Sequence, residues 1–159
     1  MPSPELSLTT GLVLQNLSEL MPLAVRRLVL VTLGEQTLAF ADTLVAEILL
    51  VERSYILPLP FYGAPVLGVI NHQGGGIPLV SLRRALGDSE AILPEKLTVV
   101  RLTELAPAGL AGMGVVVDRL VGSVAREEWS QFSTATYVPA ESVLAQLVPS
   151  LWQPQRWSA

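Results

Sequence analysis

The 159-residue chain has no cysteine, a single histidine (His72) and a single lysine (Lys96). The missing thiols exclude disulfides, cysteine nucleophiles and cysteine-based metal sites outright. With one imidazole, a metal centre would have to be built largely from carboxylates, and a Ser-His-Asp device would have to recruit its base from a turn tip. Charge is sparse as well. Only 15% of residues are charged and the balance is −4, with the basic residues scattered rather than clustered, so the counterion-releasing patch that nucleic-acid binding needs is absent. Long apolar runs are also missing: Leu20 to Leu33 is interrupted by Arg26 and Arg27, and Leu44 to Val51 by Glu47, so no direct membrane insertion is expected. The opening Met-Pro-Ser-Pro-Glu lacks the basic and apolar regions of an export signal, which makes the cytoplasm the expected compartment.

What the chain does have is apolar material. At 50% hydrophobic residues and a mean hydropathy of +0.50, too little polar side chain is available to cover the surface, and an outward-facing apolar patch suited to docking is expected. The leader to Val25 is punctuated by Pro2, Pro4 and Pro22 and has the spacing of one short helix. From Leu28 the pattern becomes short β-rich runs. Leu28–Leu33 and Thr37–Ala41 flank a Gly34-Glu35-Gln36 turn, with Leu38 and Phe40 on one face. Val45–Val51 follows, apolar on both sides except for Glu47. Pro58, Pro60 and Pro65 then impose an extended connection, and Pro65–Leu67 is expected to form one helical turn. Ser81 is placed to cap a short helix over Leu82–Leu86, with Gly87 beyond its end. Leu97–Leu102, Met113–Val117 and Leu120–Val124 are further strands, and Glu141–Val148 a helix. No long helix separates the strands, so small barrels are expected rather than a parallel α/β sheet.

The most informative segment runs from Gly68 to Leu86. Two apolar runs, Val66–Ile70 and Ile77–Leu82, flank a polar tip at Asn71–Gln73, followed by Gly74, Gly75 and Gly76, whose freedom at positive φ suits a tight reversal. A phosphate cradle is the alternative use of such glycines, but no lysine follows and the run leads into a strand. The spacing of Asn71, Gly74 and Pro78 after Gly68 resembles the signature hairpin of the CheW-like adaptor family, Gly-(Val/Leu)-(Ile/Thr)-Asn-x-Arg-Gly-x-x-x-Pro followed by Asp-Leu-Arg. Further segments are similar in the same order: the Leu28–Ala41 hairpin, Val45-Ala46-Glu47-Ile48, Leu57-Pro58-Leu59-Pro60, Leu97–Arg101, and Gly114–Val121 with its Val-Asp corner. Three departures stand out. Gln73 replaces the family's turn arginine, Ser81 replaces its aspartate, and Tyr137–Ala159 does not read as the returning last strand of the family.

The resemblance implies a mainly β fold of two intertwined SH3-like barrels with short helices, arranged as an N-terminal extension (1–27), a CheW-like core (28–124) and a divergent C-terminal segment (125–159). It implies a non-catalytic adaptor coupling methyl-accepting chemoreceptors to a CheA-like histidine kinase in chemotaxis, phototaxis or pilus-driven motility. No enzyme activity, cofactor or metal follows from it. Val45, Glu47, Asn71 and Gln73 fall where the family engages its receptor. Glu47 independently draws notice, because a carboxylate within an apolar strand must face water, an arginine or a partner. Asn71 equally suits hydrogen bonding within its own turn. Glu127 and Glu128 are adjacent, poor geometry for an acid–base pair, and read as a solvated stretch. The alternative function is a small-molecule-binding protein or hydrolase using the inter-barrel groove, with His72 and Asp118 as its working groups; otherwise His72 reads as a solvated turn residue.

Overall fold

The runs on either side of Gly34-Glu35 form the first hairpin, as their alternation predicts. In the computed structural model, which describes residues 27–129, 137–147 and 151–152, β1 (Arg27–Leu33) pairs antiparallel with β2 (Gln36–Ala41). The chain then leaves this sheet through a 3-10 turn at Asp42–Leu44. A second sheet follows from β3 (Val45–Glu52), β4 (Val66–His72), β5 (Gly75–Ser81), β6 (Lys96–Leu102) and β7 (Gly114–Val117). At Asp118 the chain crosses back. There β8 (Arg119–Ala125) pairs with β1, and β9 (Tyr137–Pro139) later pairs with β2. The strand orders are β8-β1-β2-β9 and β3-β6-β7-β5-β4. One curled half is thus built from the middle of the described chain and the other from the segments before and after it, which is what intertwines them.

Side-chain alternation explains why the middle strands are apolar on both faces. Val115 and Val117 of β7, with Val100 and Leu102 of β6, face a core shared with Val31, Leu38 and Phe40 of the first hairpin. Val116, Leu97 and Val99 face the other way, into the interior of the five-stranded half with Ile70, Ile77 and Leu79. A strand packed on both sides needs a continuous apolar run, and Val115-Val116-Val117 supplies one. The two edges of this sheet, β3 and β4, are joined through the segment between them: Leu57 exchanges both backbone hydrogen bonds with Val69, each 2.9 Å long. The half is therefore closed by a single bridge.

Short helices sit where capping places them. The Oγ of Ser81 accepts from the Arg84 N–H at 3.3 Å to start α1 (Leu82–Ala85), and a serine does this as well as the aspartate it stands in for. Helix α2 (Arg126–Trp129) carries Glu127 and Glu128, both exposed. Helix α3 (Ala140–Leu144) buries Ala140, Val143 and Leu144 in the shared core.

Three local expectations differ from what forms. Pro65–Leu67 is not a helical turn, because Val66 already pairs with Val80 and opens β4. Of the three consecutive glycines only Gly74 has positive φ; Gly75 and Gly76 lie in β5, opposite His72 and Asn71, and the reversal is made by Gln73 (φ 52°) and Gly74 (φ 82°). Two left-handed residues in a two-residue loop match the right-handed strand twist. The segment after residue 136 does return a strand: β9, only three residues long, lies parallel to β2. Parallel pairing also occurs between β5 and β7, where α1 and β6 serve as the crossover. The leader helix expected before Val25 lies outside the described residues. Among the described residues no helix is long and apolar enough to cross a membrane.

Candidate functional site

Glu47 sits just after an irregularity in β3, where the register steps from Val45 opposite Leu102 to Glu47 opposite Arg101. That step leaves Ala46 unpaired and places the carboxylate and the guanidinium on one face, where cross-strand neighbours of opposite charge stabilise each other. Arg101 Nη1 donates to Glu47 Oε2 at 2.7 Å. His72 approaches the same oxygen from the opposite sheet edge, its Nε2 at 3.2 Å. That contact is not aligned as a hydrogen bond, and Nε2 of His72 and Nε of Arg101 are both shut away from solvent without one. The carboxylate thus stands between two basic side chains and links β3 to the end of β4, across the same seam that Leu57 closes further along.

The four residues singled out from sequence gather at this end of the five-stranded half, in different roles. Val45 is partly buried against the shared core. Glu47 holds Arg101 and His72. Asn71 is exposed on β4 opposite Gly76, and Gln73 is exposed at the first turn position. His72 is not a solvated turn residue: it is the last residue of β4, half-buried against Glu47. Its contact with Glu47 also separates it from the Asp118 role considered above, since Asp118 Oδ2 accepts from the Gly34 N–H at 2.7 Å and lies 3.4 Å from Arg83 Nη1. Asp118 locks the corner where the chain crosses between halves. Among the described residues no group of three or more potential metal ligands forms.

Arg101 is the residue of the candidate site that sequence reading missed. Its signal was present, an arginine inside the apolar run Leu97–Leu102 that mirrors Glu47 inside its own apolar strand. What one chain does not reveal is the register that sets them opposite.

The Arg101 hydrogen bond lowers the Glu47 pKa below its ordinary 4.5, the nearby His72 adds to this, and partial desolvation opposes it. A carboxylate with a depressed folded-state pKa stabilises the fold above its unfolded pKa and loses that contribution as pH falls through the folded value. Glu47→Gln should therefore melt below the wild type at pH 7, and the gap should close on acidification below about pH 4. The site is partly exposed, so the gap is expected to be modest. Paired thermal melts across pH decide it, since a gap that stays constant would remove the ion pair from the account.

The family model of the CheW-like domain matches residues 27–144. Among solved structures, the crystal structure of the scaffolding protein TtCheW from Thermoanaerobacter tengcongensis aligns with a TM-score of 0.51 at 20% identity, over 63% of this chain and 61% of that one. At this identity the likeness speaks for the fold, and the chain spans 61% of that protein's length. No protein of curated function matches the sequence.

Proposed function

We propose, from the premise that this chain belongs to the CheW-like domain family, that it is a cytoplasmic adaptor holding a CheA-like histidine kinase and a methyl-accepting chemoreceptor in register. The family is one of non-catalytic scaffolds in chemotaxis signalling. The observation that carries the reading is the family match across residues 27–144, which takes in both sheets and the hairpin signature. In this proposal Val45, Glu47, Asn71 and Gln73 form the receptor-contacting end. Glu47 shapes that surface from beneath, tying β3 to the last residue of β4 while Asn71 and Gln73 present their side chains outward. Receptor and kinase would communicate through it as differential contact energy, with no bond made or broken.

Size-exclusion chromatography of the full chain with the cognate kinase's C-terminal domain is expected to show co-migration. Gln73→Arg restores the cation usual in the family's turn and should strengthen receptor-tip binding roughly tenfold, about 1.4 kcal/mol. A chain that ignores the kinase and carries a small molecule in native mass spectrometry would overturn the adaptor reading. Unchanged receptor affinity in Gln73→Arg would remove that position from the contact surface.

A further inference from the structure

At the end of the five-stranded half away from Glu47, where β4 begins, a cavity of about 310 Å³ opens between two loops. One wall is the proline-bearing connection through Pro58, Leu59 and Tyr62, and the other is the linker at Leu93, with Ile56 and Leu67 completing an apolar lining. Two arginines are fixed beside it. Arg84 donates from Nε and Nη2 to the Ala91 carbonyl, at 3.1 and 3.0 Å, and from Nη1 to the Ala64 carbonyl at 3.2 Å, strapping one loop to the other. Arg53 donates from Nη1 to the Leu93 carbonyl at 2.7 Å.

What sets these arginines apart is their charge balance. Among the described residues neither has a carboxylate within ion-pair distance, whereas Arg83 and Arg101 both do. Glu52 and Glu95 border Arg53 in a separate depression and form no ion pair with it. Carbonyl dipoles hold the two cations in place without neutralising them, and a guanidinium has five N–H groups, so donors remain free for an anion.

Several residues next to the lining along the chain expose apolar side chains. Tyr55, Leu57, Phe61 and Ile92 are 70%, 68%, 45% and 90% exposed, and each adjoins a cavity-lining residue in sequence. A small anion would need only the cavity, whereas two cations beside an apolar lining, with further apolar side chains exposed on the neighbouring residues, match the composition of a protein interface. The geometry points to a docking site for an acidic segment of a partner protein, which inserts an aliphatic or aromatic side chain between the loops and lays its flanking carboxylates on Arg53 and Arg84. The site is separate from the proposed receptor contacts and does not depend on them.

The test is an NMR titration of the isotope-labelled full chain with three peptides, acetyl-Ser-Glu-X-Glu-Ser-amide, where X is Leu, Met or Phe. At least one should produce saturable shifts centred on Tyr62, Leu67 and Leu93. That affinity should fall about tenfold in its Gln-for-Glu counterpart, and by a similar factor between about 50 mM and about 500 mM NaCl. Arg53→Gln removes one exposed cation and should weaken binding severalfold without shifting the melting temperature by more than about 2 °C. No shift with any of the three peptides, shifts centred on Asn71 and Gln73, or equal binding of the Gln peptides would each overturn the proposal. So would octanoate binding where all three peptides fail, because it would assign the cavity to a small amphiphilic anion.

Discussion

Replacing Gly68 with alanine should cost on the order of 4 kcal/mol, seen as a melting temperature lower by roughly 10 °C or more. Gly68 has φ +143° and follows the β4 bulge, and a Cβ there would lie on the carbonyl oxygen of Leu57 and 2.8 Å from Ile56 Cγ2. That carbonyl cannot step aside cheaply, because it accepts from Val69 while the Leu57 N–H donates to the Val69 carbonyl. These two bonds are the bridge that closes the five-stranded half. Losing them is worth about 0.5–1.5 kcal/mol each, overpacking adds about 1–3 kcal/mol, and a backbone conformation that favours glycine adds about 1–3 kcal/mol. Gly74→Ala is the control. Its φ of +82° also strains an L residue, but nothing lies within 4 Å of the added carbon, so the expected cost is about 1 kcal/mol. Equal melts for the two variants would show that the Leu57 bridge does not hold the half closed.

The same region marks where sequence reading reaches its limit. Apolar runs between turn signals located the strands from β1 to β8, and alternation within a run sets its two faces: Leu38 and Phe40 point one way, and Leu97 and Val99 oppose Val100 and Leu102. Caps were legible for the same reason, since Ser81 needs only a backbone N–H three residues on. Closure was not legible. The Leu57 bridge is a single residue in a proline-rich connection, and β9 is three residues ending in Pro139; both are held by partners far away in sequence. The triple glycine misled in a related way. Its first member supplies the turn, while Gly75 and Gly76 occupy strand positions, where Cβ atoms would meet only the His72 carbonyl at 3.8 Å and Val69 Cγ1 at 3.1 Å.

The proposed receptor end divides along the same line. Glu47 announced itself as a carboxylate needing a partner, and the partner is Arg101, 54 positions on. Distance in sequence hides such a pair, because only the stepped register of β3 against β6 puts the charges on one face. His72 was misplaced because its sequence neighbours are turn residues, yet it lies in the strand, and strand residues alternate inward.

Gly114→Ala should destabilise by about 2–3 kcal/mol, and Val99→Ala in the same chain should restore part of the loss. Gly114 opens β7, and an added Cβ would stand 2.5 Å from Val99 Cγ1 and 2.7 Å from Leu79 Cδ2. Both neighbours are completely buried, and the β-branched Val99 has little rotamer freedom with which to retreat. Val99→Ala alone should cost about 2 kcal/mol by leaving a cavity. Combined, each change fills or empties what the other disturbs, so the double variant should be more stable than the sum of the singles predicts, by at least about 1 kcal/mol. The consequence reaches the proposed receptor end, because Arg101 lies directly opposite Gly114 in the β6–β7 register. A β7 strand displaced at Gly114 moves the arginine that holds Glu47, so receptor affinity should fall in Gly114→Ala and recover with stability in the double variant. Strict additivity in the melts would mean that the two side chains do not compete for one space. Recovery of stability without recovery of binding would separate the Arg101–Glu47 pair from the docking surface.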